Sequence, residues 1–162
     1  MRFEKFDFFV VVLQRDCFAN TENSLFERFW GPGSPDGEDA FEQSWGEGVL
    51  WMNPPFDLFD RVLDKILRDK AHTILLVPQW QKRKFYHRAQ GLALDCLTFP
   101  VGAKLFERQG RPVGGIKWPV TIFLVCGHSP RCEKCEFHNG RGGTLNRRVP
   151  PIWSGGKRNL PF

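Results

Sequence analysis

The chain has 162 residues, 41% of them hydrophobic and 14% aromatic, including 16 Phe and 6 Trp; this excludes a disordered chain and suffices for one domain with a sizeable core. The formal net charge is +5, yet residues 1–138 hold 18 Lys+Arg against 18 Asp+Glu, so the excess is Arg141, Arg147, Arg148, Lys157 and Arg158. A basic tail of this kind acts as a weak electrostatic anchor or a solvated end, not as a broad nucleic-acid footprint. No run approaches the roughly 18–20 apolar residues of a membrane span. The apolar run from Phe8 to Leu13 is too short for a signal-peptide core, and no small-residue cleavage site follows it. Five cysteines, an odd number, suit a reducing compartment. The expected location is cytoplasmic or nuclear, neither secreted nor membrane-bound.

In chain order, Phe8 to Leu13 reads as a buried strand leading into Asp16-Cys17-Phe18-Ala19-Asn20. Residues 20–30 read as a short helix with Leu25, Phe26 and Phe29 on one face. Gly31 to Gly37, with two prolines and three glycines, is a loop opening an acidic stretch. A short strand, Val49 to Met52, ends at Asn53-Pro54-Pro55-Phe56. The clearest helix spans 57–70, with Asp57 as N-cap and Leu58, Phe59, Val62, Leu63, Ile66 and Leu67 as one apolar stripe. An i,i+4 pair of Asp64 with Arg68 is expected on its other face. Thr73 to Val77 is a second buried strand; residues 81–90 suggest a helix, 92–97 a strand, 100–115 a Gly-Pro-rich region, and Val120 to Val125 a last strong strand.

Alternating strands and helices predict an α/β sheet with helices on both faces. Residues 1–126 form the expected domain, 127–138 a Cys/His-rich segment, and 139–162 a basic Gly/Pro-rich tail expected to be disordered.

In an open α/β sheet, ligands bind outside the carboxyl ends of the strands, which is where Asn53-Pro54-Pro55-Phe56 falls. The exocyclic amine of adenine is a poor nucleophile because its lone pair is delocalised into the ring. An Asn side-chain oxygen can accept one N6 hydrogen and the Pro54 carbonyl the other, drawing the nitrogen toward sp3 geometry. Consecutive prolines fix the backbone for that purpose, and Phe56 offers a face for a flipped-out base. A rigid strand-to-helix turn without chemistry uses the same residue types.

Several ordered segments together carry a family resemblance. Asp16 to Asn23 has the form D-x-x-A-x-x-x-N, Gly37 to Trp45 is an acidic stretch ending in Trp, and Trp51-Met52-Asn53-Pro54-Pro55-Phe56 follows. Ile74 to Trp80, Gly102 to Phe106 and Val120 to Val125 complete the series. The run from Asp16 to about Cys126 resembles the phage-type DNA adenine-N6 methyltransferase (Dam) family, including the versions carried by DIRS-type retrotransposons. The resemblance implies a Rossmann-like methyltransferase sheet, S-adenosylmethionine as methyl donor and DNA as partner. Asn53, Pro54, Pro55 and Phe56 would then be catalytic. Asp16, Asp39 and Trp51 would hold the cofactor, with Trp80 a further pocket border. Asp16 is alternatively an N-cap, Asp39 a solvated acid and Trp51 a core residue.

Lys82, Arg83, Lys84 and Lys104 are the expected phosphate contacts, with His87 and Arg88 on the same basic stretch. Ser44 stands where the family has an acidic residue before Trp, and the family's Thr-Pro segment and helix before the first strand have no counterpart here. These departures imply an incomplete cofactor wall. They keep open the alternative of a catalytically degenerate nucleic-acid-binding domain from a mobile element or phage-derived gene.

Cys126-x-His128-x3-Cys132-x2-Cys135-x2-His138 has zinc-ligand residue types, and Cys132-x2-Cys135 has knuckle spacing. Five candidates within thirteen residues lack the usual two separated ligand pairs. Cys126, Cys132, Cys135 and His138 are therefore candidates for zinc or ordinary thiols and imidazoles in a tail, and no metal is assigned.

Overall fold

The structure is a computed structural model that describes residues 13–24, 27–108, 111–112 and 114–128. Its strands are β1 (Leu13–Cys17), β2 (Phe29–Trp30), β3 (Val49–Met52), β4 (His72–Pro78), β5 (Ala93–Phe99), β6 (Glu107–Arg108), β7 (Arg111–Pro112) and β8 (Val120–Cys126). Two α-helices, α1 (Phe59–Asp69) and α2 (Lys84–Leu92), follow β3 and β4, and single 3-10 turns occupy Ala40–Glu42 and Phe56–Leu58. Six strands form one sheet in the order β2-β1-β3-β4-β8-β5, while β6 and β7 make a separate ribbon. Strands β1 to β4 pair in parallel, and β8 runs antiparallel to both β4 and β5. The domain is therefore α/β with a mixed sheet.

Alternation along the central strands sends side chains to two different cores. Cys17, Leu50, Met52, Leu75, Val77, Phe123 and Val125 face one side, where they meet Phe59, Val62, Leu63 and Ile66 of α1 and Phe85, Tyr86 and Ala89 of α2. Val49, Trp51, Ile74, Leu76, Val120 and Ile122 face the other, covered by Ile116 with Ala103, Leu105, Phe106 and Trp118. Among the described residues both helices thus lie on the same face, and the segment between β5 and β8 packs the second. This differs from the expected helix layers on both faces. The reason is local: the region after β5 is rich in Gly and Pro, which disfavour helix but allow a loop to lay its few apolar side chains on the sheet.

Helix α1 buries four apolar side chains, each worth about 1.5–3 kcal/mol by area. The expected stripe is narrower than read, since Leu67 is exposed and Leu58 half-buried. Asp57 is not its cap; it lies in the preceding 3-10 turn, and Leu58 at the N-cap makes no side-chain cap bond. The expected Asp64–Arg68 pair is replaced. Asp64 and Asp60 both bind Arg88 of α2, at 2.5 and 2.6 Å, and Arg68 turns to Asp69 at 3.1 Å. Helix-to-helix bonding won because α2 packs alongside, which the sequence of α1 alone does not reveal.

No helix forms among the described residues of 20–30. The Asn20 side chain accepts from the backbone of Glu22 and Asn23 (2.9 and 3.1 Å), and Asn23 accepts from Asn20 at 2.7 Å. Such side-chain capture of backbone N–H groups favours a turn over a helix. Phe29 and Trp30 then join the sheet beside Asp16 and Cys17. Of the strand expected from Phe8 to Leu13, only Leu13 falls within the described residues, as do only Gly127 and His128 of residues 127–162.

Thr73, fully buried between β3 and β8, has a hydroxyl without a hydrogen-bond partner among the described residues. Thr73→Val is expected to stabilise the domain by about 1 kcal/mol, since it removes an unpaired buried hydroxyl. A denaturant midpoint equal to or below wild type would contradict that account.

Candidate functional site

The chain leaves β1 toward β2 on one side and returns to β3 on the other, so the boundary between β1 and β3 is a topological switch point. Asp16 sits opposite Trp51 and Cys17 opposite Met52, so the two strands end level. Phe18 and Asn53 are the next residues on each. Phe18 has φ 67°, a left-handed conformation unusual for a bulky side chain. Its ring is held edge-on to Phe41 and Trp45, with centroids at 5.3 and 6.1 Å. Close by, Gly31 (φ 150°) is required. A Cβ there would lie 1.7 Å from the Ala19 carbonyl oxygen, so only glycine lets the loops after β1 and β2 meet.

Across the switch point, Asn53 is exposed, Pro54 buried, and Pro55 and Phe56 exposed. The Pro55 carbonyl accepts from Leu58 N–H at 3.0 Å, tying the motif to the start of α1. Phe56, 46% exposed, meets two tryptophans edge-on: Trp80 at 4.7 Å and Trp118 at 5.5 Å, themselves 5.6 Å apart. A partly buried polar network holds the two tryptophan-bearing loops together. Gln79 donates to Thr98 and Thr121 (3.2 and 3.0 Å), its backbone N–H donates to the Pro119 carbonyl at 2.9 Å, and the Tyr86 hydroxyl lies 3.3 Å from Thr121. Trp118 was not singled out from the sequence, because it lies in the irregular stretch before β8. The signal that finds it is tertiary: antiparallel pairing of β8 with β4 sets Val120 against Pro78.

The expected cofactor residues fare differently. Asp16 is 4% exposed, and Trp51, 3% exposed, lies within the core on the loop-covered face. Asp39 is exposed and accepts from Phe41 N–H at 2.7 Å, capping the 3-10 turn. Of the three, Asp39 alone reaches the surface; Trp51 is a core residue, not an open ring face. Among the described residues no helix begins between Asp16 and β2 for Asp16 to cap. Trp45, at the end of the acidic stretch, is fully buried and donates its indole N–H to the Ala40 carbonyl at 2.8 Å.

Lys82, Arg83 and Lys84 are exposed in the turn after Trp80 and the first residue of α2, and Lys104 is exposed in the loop after β5. All four follow strands that end at the same side of the sheet as Asn53. Arg88 does not join them, because Asp64 and Asp60 neutralise it; the Asp64 bond leads in raising its guanidinium pKa further. His87 is engaged with the Gln81 carbonyl at 2.5 Å.

Cys17, beside the switch point, is fully buried, and that burial, with the Asp16 charge, raises its thiol pKa well above the ordinary value despite Arg15. A protonated, inaccessible thiol is no nucleophile. Cys126 of the zinc candidates is buried at the end of β8, while Cys132, Cys135 and His138 lie outside the described residues.

No protein-family model matches the chain, and no curated protein matches it. Among the described residues, no helix is long and apolar enough to cross a membrane.

Proposed function

We propose that this domain is a Rossmann-like methyltransferase that acts on adenine N6 in DNA, with S-adenosylmethionine as donor. The observation that carries the reading is an exposed Asn53 at a switch point, flanked by the Phe56–Trp80–Trp118 cluster. An extruded base stacks on this cluster, a contact worth about 1–3 kcal/mol per base. Asn53 Oδ1 accepts one amine hydrogen, and the Pro54 carbonyl accepts the other. Both acceptors withdraw the hydrogens from the ring plane and release the lone pair of N6. Lys82, Arg83, Lys84 and Lys104 bind phosphates and set the register of the strand without reading its sequence.

S-adenosylmethionine supplies an electrophilic methyl group when bound. Asp39 is the accessible carboxylate on the cofactor side, and the level ends of β1 and β3 bring that side next to Asn53. A second reading is favoured by the burial of Asp16 and Trp51 together with Ser44 in place of an acid. It is a nucleic-acid-binding domain that keeps the base-docking end without turnover.

The test is calorimetric titration with S-adenosylmethionine, followed by incubation with donor and DNA and measurement of N6-methyladenine. Donor binding with methylated product is expected. DNA binding without donor binding assigns the second reading, and absence of both removes the proposal.

A further inference from the structure

At the end of the sheet opposite Asn53, His72 opens β4 and Cys126 closes β8. The antiparallel register sets them directly opposite each other, so their side chains leave the same face. Gly127 then makes a tight turn. Its N–H donates to the Ala71 carbonyl at 2.7 Å, and a Cβ on it would lie 2.0 Å from the Ile66 carbonyl oxygen. The turn brings His128 back over Cys126, with Sγ 3.6 Å from Nδ1 and 3.4 Å from the His128 backbone nitrogen. The rings of His72 and His128 stack with centroids 5.0 Å apart and planes inclined by 25°. One donor atom from each of the three residues lies within 4.8 Å of the others.

We propose that His72, Cys126 and His128 supply three ligands of a tetrahedral site for a divalent zinc-class ion, with a water as the fourth, that clamps the end of β8 to the start of β4. With Zn–S of about 2.3 Å and Zn–N of about 2.0–2.1 Å, tetrahedral angles place sulfur and nitrogen about 3.5 Å apart. The Sγ–Nδ1 separation is already 3.6 Å, so this edge of the tetrahedron exists, and a rotation of the half-buried His72 ring closes the others. Thiolate and imidazole without carboxylate select zinc over magnesium or calcium. Cys126 is 2% exposed, which suits a structural ligand shielded from oxidation. The location agrees, since the cluster lies a full strand length from the aromatic end where Asn53 sits. The sequence grouping of Cys126 with its C-terminal neighbours omitted His72, which only the β4–β8 pairing brings into reach.

Metal content of the full chain, purified from zinc-supplemented cells and dialysed against metal-free buffer, tests the site. One zinc per chain is expected, and cobalt(II) substitution should show a thiolate-to-cobalt charge-transfer band with the d–d bands of a tetrahedral centre. His72→Ala and His128→Gln should each lower bound zinc at least tenfold, and Cys126→Ser should abolish the charge-transfer band. His128→Gln leaves the sheet ladder untouched and stays readable if His72→Ala fails to fold. A wild-type chain without zinc overturns the proposal. So does zinc retained at full stoichiometry in folded His128→Gln, which would transfer the ion to Cys132, Cys135 and His138.

Discussion

Asn53→Ala is expected to lower methyl transfer to DNA adenine by about 10²–10³-fold, the usual loss when one aligned acceptor or donor for developing charge is removed. Affinity for S-adenosylmethionine should hardly change, because Asn53 is exposed at the end of β3 and on the proposed reading contacts the amine, with the donor held across β1. The fold should also survive, since an exposed side chain at a strand end carries little packing energy. Asp39→Asn reverses the pattern, weakening donor binding before turnover at saturating donor. Paired titration and transfer measurements on wild type and both variants check the division. Equal transfer by wild type and Asn53→Ala would remove Asn53 from the chemistry. Equal donor affinity in Asp39→Asn would remove Asp39 from the cofactor side.

Asp69→Ala is expected to destabilise the domain by about 2 kcal/mol, the usual loss when a charge-assisted hydrogen-bond acceptor is removed from partly buried partners. Asp69 is where the acidic loop meets α1. Its carboxylate binds Lys65 at 2.5 Å, Arg68 at 3.1 Å and the Trp45 backbone N–H at 3.2 Å. Lys65 is nearly buried, with its ammonium 5.0 Å above the Trp45 ring, so removing its partner strands a charge. For a domain of this size that corresponds to a melting temperature lower by about 4–8 °C. Lys65→Met added to Asp69→Ala should recover part of the loss, because the stranded ammonium then disappears; a single variant melting with wild type would refute the assignment.

The same carboxylate gives a pH dependence of known sign. Burial opposes its ionisation, but hydrogen bonds from Lys65, Arg68 and the Trp45 N–H outweigh it, and its pKa is lowered on folding. Its contribution is complete above the unfolded value of about 3.9 and is lost as pH falls through the lowered folded value. In Asp69→Ala this part of the acid sensitivity should be absent.

Legibility in the sequence followed the range of the forces involved. Val49–Met52, residues 73–77 and residues 120–125 were readable because they are apolar runs, and each lies within an observed strand buried on both faces. Helix α1 was readable because Phe59, Val62, Leu63 and Ile66 recur at helical spacing. The stretch from Asn20 misled because apolar spacing competes there with Asn20 and Asn23, whose side chains capture the backbone locally. For Asp16 and Trp51, a position at a strand end carried no information on which face would be covered, and both are buried.

The candidate site divides along the same line. Asn53-Pro54-Pro55-Phe56 at a strand end is a local property, determined by a short apolar strand stopped by two prolines that cannot continue the hydrogen-bonded ladder. That Met52, just before Asn53, ends level with Cys17 depends on the parallel register of β1 and β3. That Phe56 meets Trp80 and Trp118 depends on β8 inserting antiparallel beside β4, and the same insertion brings Cys126 opposite His72. Strand order is chosen by the joint burial of two sheet faces over the whole chain, so no window of sequence contains it. Residue types and their local turns were determined by the sequence alone; which of them became neighbours was decided by the packing of the sheet.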